Sequence, residues 1–215
     1  MIILSILFFV TALIYSSVGF GGGSTYLAIL LIWGVPYTIF PVIALVCNII
    51  VVSGNSINFI RSKNININLL FPYLIGSIPF AFIGGSITIE KSLFEILLFC
   101  VLLVAGIFLL IESKSFNKEQ IKINKIPRLI SISIGSIIGF MSGLVGIGGG
   151  IFLSPLLFLM KAGYPRHITS SASLFILINS IFGIAGQLTK DQILDQVTNY
   201  WPLFLAVLIL SLIHI

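Results

Sequence analysis

Charge is what this sequence has least of: six acidic and eleven basic side chains in 215 residues, or 8%. A soluble domain carries about 25% charged residues. So little charge cannot cover a water-facing surface, which excludes an ordinary soluble protein. Two histidines, two cysteines and six acids leave almost nothing for a metal or carboxylate centre. His167 and His214 sit near the ends of apolar runs, and neither has an acid or cysteine at ligand spacing. That constellation fails the geometric needs of an intramembrane enzyme, so no catalytic group and no cofactor is implied. Cys47 and Cys100 lie in separate apolar segments and read as small hydrophobes.

Apolar length is what the sequence has in abundance, with 58% hydrophobic residues. The runs are long and continuous, without the short alternation of a barrel strand. Helices are then required, because backbone groups in lipid need internal partners. Seven hydrophobic segments are predicted: 1–32, 38–59, 69–89, 93–111, 129–160, 169–188 and 200–215. The N-terminal run lacks a basic leader region and reads as a retained membrane segment. The expected fold is therefore an all-α, multi-pass membrane protein, with the lipid bilayer as its first partner. The net charge of +5 is not a nucleic-acid signature, because the basic residues sit in short connections. If every segment crosses once, Arg61, Lys63, Lys114, Lys118, Lys122, Lys125, Arg128 and Lys190 share one face. Lys91, Lys161 and Arg166 then fall opposite, and the asymmetry places the link 112–128 in the cytoplasm. On that count Arg166 and His167 lie on the far face, either anchored at the interface or drawing an anion to the mouth of a pathway.

Glycine is the residue that breaks this monotony. Val18-Gly-Phe-Gly-Gly-Gly23 returns as Val145-Gly-Ile-Gly-Gly-Gly150. Gly-Val-Pro36 returns as Gly-Tyr-Pro165, Gly54 as Gly183, and Phe71-Pro72 as Trp201-Pro202. The order is kept at offsets of 127 to 130 residues, which argues for an internal duplication. The halves are 1–111 and 129–215, joined by the basic link 112–128. The second half is shorter: it has no counterpart of the fourth segment.

Neither Gly run is followed by the Gly-Lys-Ser/Thr ending of a nucleotide loop. Helix packing explains other small residues: Ser131, Gly135, Gly139 and Gly143 make a stripe, as do Ser77, Ala81 and Gly85. Three consecutive glycines make no stripe, and each costs about 1 kcal/mol relative to Ala in a helix. Moreover, residues 1–32 as one straight helix would measure about 48 Å against a hydrocarbon core of about 30 Å. The runs are therefore read as breaks near mid-membrane, whose freed N–H groups and half-helix N-termini suit an anion. Candidate binding residues are Ser17, Gly19, Gly21, Gly22, Gly23 and Ser24 in the first half. In the second they are Gly146, Gly148, Gly149, Gly150, Ser171 and Asn179. Should a run turn a re-entrant hairpin rather than interrupt a crossing, Met1 changes sides.

Two hydrophobic halves, each with G-x-G-G-G in its first segment and a Gly-x-Pro turn after it, resemble the sulfite exporter TauE/SafE family of membrane permeases. The resemblance covers essentially the whole chain and rests on Gly19, Gly21, Gly22, Gly23, Gly146, Gly148, Gly149 and Gly150. It implies secondary transport of small sulfur-containing or organic anions such as sulfite or sulfonates, and a repeat of four helices. The coupling ion, proton or other, and a homo-oligomer stay open. The short second half raises the alternative of a non-transporting partner or a fragment of such a permease.

Overall fold

The computed structural model describes residues 1–63, 65–114, 123–124, 126–190 and 193–214. Among these the secondary structure is helical throughout. The order is α1 (Ile2–Val18), α2 (Gly23–Ile32), a 3₁₀ turn (Tyr37–Ile39), α3 (Phe40–Arg61), α4 (Ile67–Ser86) and α5 (Lys91–Lys114). Then come α6 (Arg128–Val145), α7 (Gly150–Leu159), α8 (Pro165–Gln187), α9 (Ile193–Thr198) and α10 (Trp201–His214). Five stretches are long and apolar enough to cross a bilayer: residues 37–61, α4, residues 91–108 of α5, α6 and α8. The chain is a multi-pass membrane protein. The helices α1, α2, α7 and α10 are apolar but shorter.

The small-residue stripes hold the centre together. A Cβ on Gly135, Gly139 or Gly143 would run into the α4 backbone at Tyr73, Ser77 and Ala81 respectively. These pairs advance in step, so α4 and α6 lie parallel with their backbones in direct contact. In lipid such close packing replaces the hydrophobic drive available in water. Gly85 meets Gly183, Gly186 and Gln187 of α8 in the same way. Pro72 and Pro79 sit inside α4, which neighbouring helices in a membrane tolerate. Asn66 caps its start, its side-chain oxygen accepting from Leu69 N–H at 3.2 Å. By contrast, α3 runs antiparallel to α8, with Leu45 beside Gly183 and the Ser56 and Ser173 hydroxyls 3.4 Å apart.

The two longest apolar runs behave differently from a single crossing. Each is split at its Gly run into two helices, and the second helix turns back along the first. Phe8 and Tyr26 stack with ring centroids 4.7 Å apart; in one straight helix they would be about 27 Å apart. The Tyr15 hydroxyl lies 2.8 Å from Thr25 Oγ1. A Cβ at Gly22 would meet Thr11 Cγ2 at 3.2 Å, and one at Gly149 would meet Ile138 Cγ2 at 2.8 Å. Both pairs lie 11 residues apart in sequence, so each second helix starts against the first at the corresponding position.

This turn changes which charges share a face. The ends of α4, α6 and α8 gather near the start of α3, as Gly183 against Leu45 and Gly146 against Pro41 show. At the other face lie Arg61, Lys63, Arg128, Lys161 and Arg166, at the remaining helix ends. Asn124 seals that grouping: its N–H donates to Lys161 O at 3.0 Å and its side chain to Met160 O at 3.2 Å. We call this the link face. The single-crossing count placed Lys161, Arg166 and His167 opposite the link and Lys190 beside it. Because α7 returns to the side from which α6 came, those placements reverse. Lys118, Lys122 and Lys125 lie outside the described residues. Cys47 is buried, whereas Cys100 is exposed on α5, and both are free thiols.

Candidate functional site

Each break begins with a helix stop that only glycine takes readily. Gly19 ends α1 at φ 87°, with its N–H donating to Ser16 O at 3.3 Å and Phe20 N–H to Tyr15 O at 3.0 Å. Gly146 ends α6 at φ 93°, with its N–H donating to Ser142 O at 2.8 Å. The left-handed cap costs a side-chain-bearing residue about 1–2 kcal/mol. Each break closes on another left-handed glycine, Gly22 at φ 82° and Gly149 at φ 79°, from which a ten-residue helix starts.

The two breaks touch. A Cβ on Gly23 would lie 2.6 Å from the Ile147 carbonyl oxygen and 2.7 Å from Asn48 Nδ2. The fully buried Asn48 of α3 is the bridge: its Nδ2 donates to Ile147 O at 3.1 Å, while Gly21, Gly23 and Gly148 all crowd its amide. Ile147 lies 99 residues further along the chain than Asn48. Asn55 adds a second clasp, its Nδ2 donating to Ser16 O at 3.0 Å on the last turn of α1.

Beside this junction lies a hollow of about 560 Å³. Gly21, Gly22, Gly23 and Ser24 line it from the first break, Ile147 and Ile151 from the second, and Thr169 and Ile176 from α8. Ser154, Tyr15 and Thr169 supply hydroxyls; Ile14, Val18, Phe20, Pro155 and Phe158 supply apolar wall. Among the described residues no charged side chain lines it. Val18, Phe158 and Thr169 place it on the link-face side of the breaks. The backbone makes up for the missing charge. The first main-chain bonds of α2 run from Thr25 and Tyr26 N–H to Gly22 O, both 3.0 Å. The N–H groups of Gly23 and Ser24 precede them and have no intrahelical acceptor, as at any helix start. The positive end of the α2 dipole, worth up to half an elementary charge, points the same way. At α7 the corresponding first bonds run from Phe152 and Leu153 N–H to Gly149 O, both 3.1 Å.

The residues singled out from sequence divide into two groups. Gly21, Gly22, Gly23 and Ser24 line the hollow. Gly19 and Gly146 are caps behind it. Gly148, Gly149 and Gly150 are packed against α8, facing Ser180, Phe175 and Ile176 respectively. Ser17 is exposed and donates to Ile14 O at 2.7 Å, on its own helix. Asn179 is buried, donates to Phe175 O at 2.9 Å, and does not line the hollow; neither does the buried Ser171. Sequence reasoning missed Tyr15, whose signal is its place one turn before the Gly19 cap. It also gave no reason to prefer Asn48 over the other amides of its segment.

A multi-pass helical protein with paired re-entrant breaks beside a hollow has the architecture of a solute carrier rather than an enzyme. Among the described residues no cluster of His, Cys, Asp or Glu could hold a metal ion. The family follows: the sulfite exporter TauE/SafE model matches residues 4–215, and the chain belongs to that family. A probable membrane transporter protein of Sinorhizobium fredii is 29% identical over 94% of this chain and 83% of that protein. One from Methanocaldococcus jannaschii is 32% identical over 88% of this chain and 73% of its own length. One from Bacillus subtilis is 21% identical over 89% and 80%. No solved structure matches.

Proposed function

We propose that this protein is a secondary transporter for small anions, sulfur oxyanions and sulfonates foremost, and that the anion rests at the N-terminus of α2. The observation that carries the reading is the meeting of two helix breaks beside a hollow that has donors but, among the described residues, no lining cation. An oxyanion offers only acceptors, so Gly23 and Ser24 N–H and the Ser24 and Ser154 hydroxyls complement it, while the Thr169 hydroxyl donates to Pro165 O at 3.1 Å. The apolar walls of Phe20, Ile147 and Phe158 lower the local polarity and so strengthen each such bond. A permanent lysine in the hollow would hold the anion more tightly and slow its release; a main-chain site binds and lets go.

The proposal extends to the whole architecture. The matched turns at Gly22 and Gly149 support two repeats of opposite orientation, over 1–111 and 129–215. The basic link 112–128 and the link face are cytoplasmic, since Arg61, Lys63, Arg128, Lys161 and Arg166 gather there against Lys91 and Lys190 opposite. Met1 then lies on the non-cytoplasmic side, and the hollow belongs to a cytoplasm-facing state. The test is flux. Purified protein in liposomes should move labelled sulfite or an alkanesulfonate, and a pH gradient should change the rate if protons are the coupling ion. Folded protein that moves no member of such an anion panel contradicts the reading.

A further inference from the structure

A second hollow, of about 240 Å³, lies at the face opposite the link and is lined by Tyr37, Thr38, Thr88, Lys190 and Gln196 among others. We propose that it is a second subsite for a small oxyanion, at the other mouth of the pathway. The inference rests on the transport reading above and names where the anion stops on the far side.

Three observations carry it. The first is the cation itself. Lys190 follows the end of α8, is half-buried, and its Nζ donates to Gln187 Oε1 at 2.8 Å. One of its three N–H donors is thereby used, on a neutral group, and no carboxylate lines the hollow among the described residues. Burial pushes its pKa down to about 8, so it is still largely charged at neutral pH. A desolvated ammonium facing hydroxyls and amides attracts an anion strongly.

The second is what holds that cation. Gln187 is fully buried, and its Nε2 donates to Gly143 O at 2.8 Å. Gly143 would ordinarily bond the N–H four residues on, but α6 ends at Val145 and Ile147 lies in the break. Lys190 is therefore tied through Gln187 to the helix end from which the second break departs. Pro41 and Leu144 line the same hollow, and a Cβ at Gly146 would strike the Pro41 backbone. Pro41 and Leu144 thus form a wall shared by the hollow and the second break.

The third is the charge pattern. Orientation asks for few cations on this face. Lys91 sits there too, but it is exposed and pairs with Glu95 at 3.7 Å. Topology therefore gives no reason for a half-buried lysine at this place; an anion does.

The test uses the full chain in nanodiscs, with both faces accessible. A short pulse of an acetylating reagent, read by peptide mass spectrometry, gives the reaction rate at Lys190, with Lys63 and Lys91 as internal controls. Sulfate or methanesulfonate, at constant ionic strength, should slow Lys190 saturably by about fivefold or more, while both controls keep their rates. In liposomes Lys190→Gln should lower flux at limiting substrate about tenfold, and Lys190→Arg should restore most of it. Unprotected Lys190 together with full flux in Lys190→Gln overturns the subsite and leaves the transport reading intact. Saturable protection in a protein that moves no anion keeps the subsite and overturns transport.

Discussion

The two Gly breaks share five identical residues in their six-residue phrases and yet occupy different surroundings. The first presents its backbone, from Gly21 to Ser24, to the larger hollow. The second presents only Ile147 and Ile151 there, while Gly148, Gly149 and Gly150 press against α8. Its other side looks toward the Lys190 hollow across Pro41 and Leu144. Near-identical sequence thus gives the same left-handed glycines at either end of the break, but a different interior, since Gly148 is left-handed at φ 82° where its counterpart Gly21 is not, and unequal exposure. The difference teaches that a break is a piece of machinery whose use depends on its neighbours. On the proposed reading of two opposed repeats, unequal exposure is what one of two access states looks like.

The largest effect is expected from Gly22→Leu. The left-handed backbone and the contacts with Thr11 and Tyr15 forbid a side chain there. Flux should fall below detection, and anion binding at the larger hollow should vanish, in protein that still inserts and stays monodisperse. Gly149→Leu should also abolish flux, because Ile138 and Phe175 fill the space. It should leave binding at the first break measurable by calorimetry, since that break is built without Gly149. Equal loss of binding in both variants would erase the asymmetry argued here.

Next in size is Asn48→Leu, which removes the bridge between the breaks. It strands the Ile147 carbonyl without a partner, at a cost of about 1–3 kcal/mol. Thermal unfolding should shift downward and flux should fall about tenfold or more. A variant with unchanged stability and flux would show that the breaks do not depend on each other. Ser24→Ala removes one hydroxyl from the hollow and leaves the main-chain donors in place. Its KM should rise by about 2- to 10-fold with little change in maximal rate. The smallest effect belongs to Lys118→Ala in the basic link, which sets orientation and not transport: flux should stay within about twofold of wild type.

The helical membrane class was legible from the scarcity of charge and the length of the apolar runs. The breaks were legible from two mismatches: too many residues for one crossing, and glycines too close together for a packing stripe. The direction taken after each break was not. A helix that resumes and a helix that turns back can share one sequence, because both need the same left-handed glycines. Only contacts such as Phe8 with Tyr26 decide between them. That single ambiguity misplaced Lys161, Arg166 and Lys190. The packing stripes on α4 and α6 were readable because spacing along one helix defines a face. Asn48 was not, because its partner Ile147 is 99 residues distant and no local spacing connects them. Ser17 and Asn179 illustrate the commoner fate of intramembrane polar side chains, which is to bond to their own helix. Helix α9 escaped notice because its six residues carry too little apolar sequence to register as a run.

The most direct measurement is a structure solved with a heavy oxyanion, selenate or a bromoalkanesulfonate, whose anomalous signal marks its place. The account predicts density in the larger hollow, with anion oxygens within hydrogen-bond reach of the Gly23 and Ser24 N–H groups. Density lying only against basic side chains at the protein surface, from protein that transports the same anion, would contradict it.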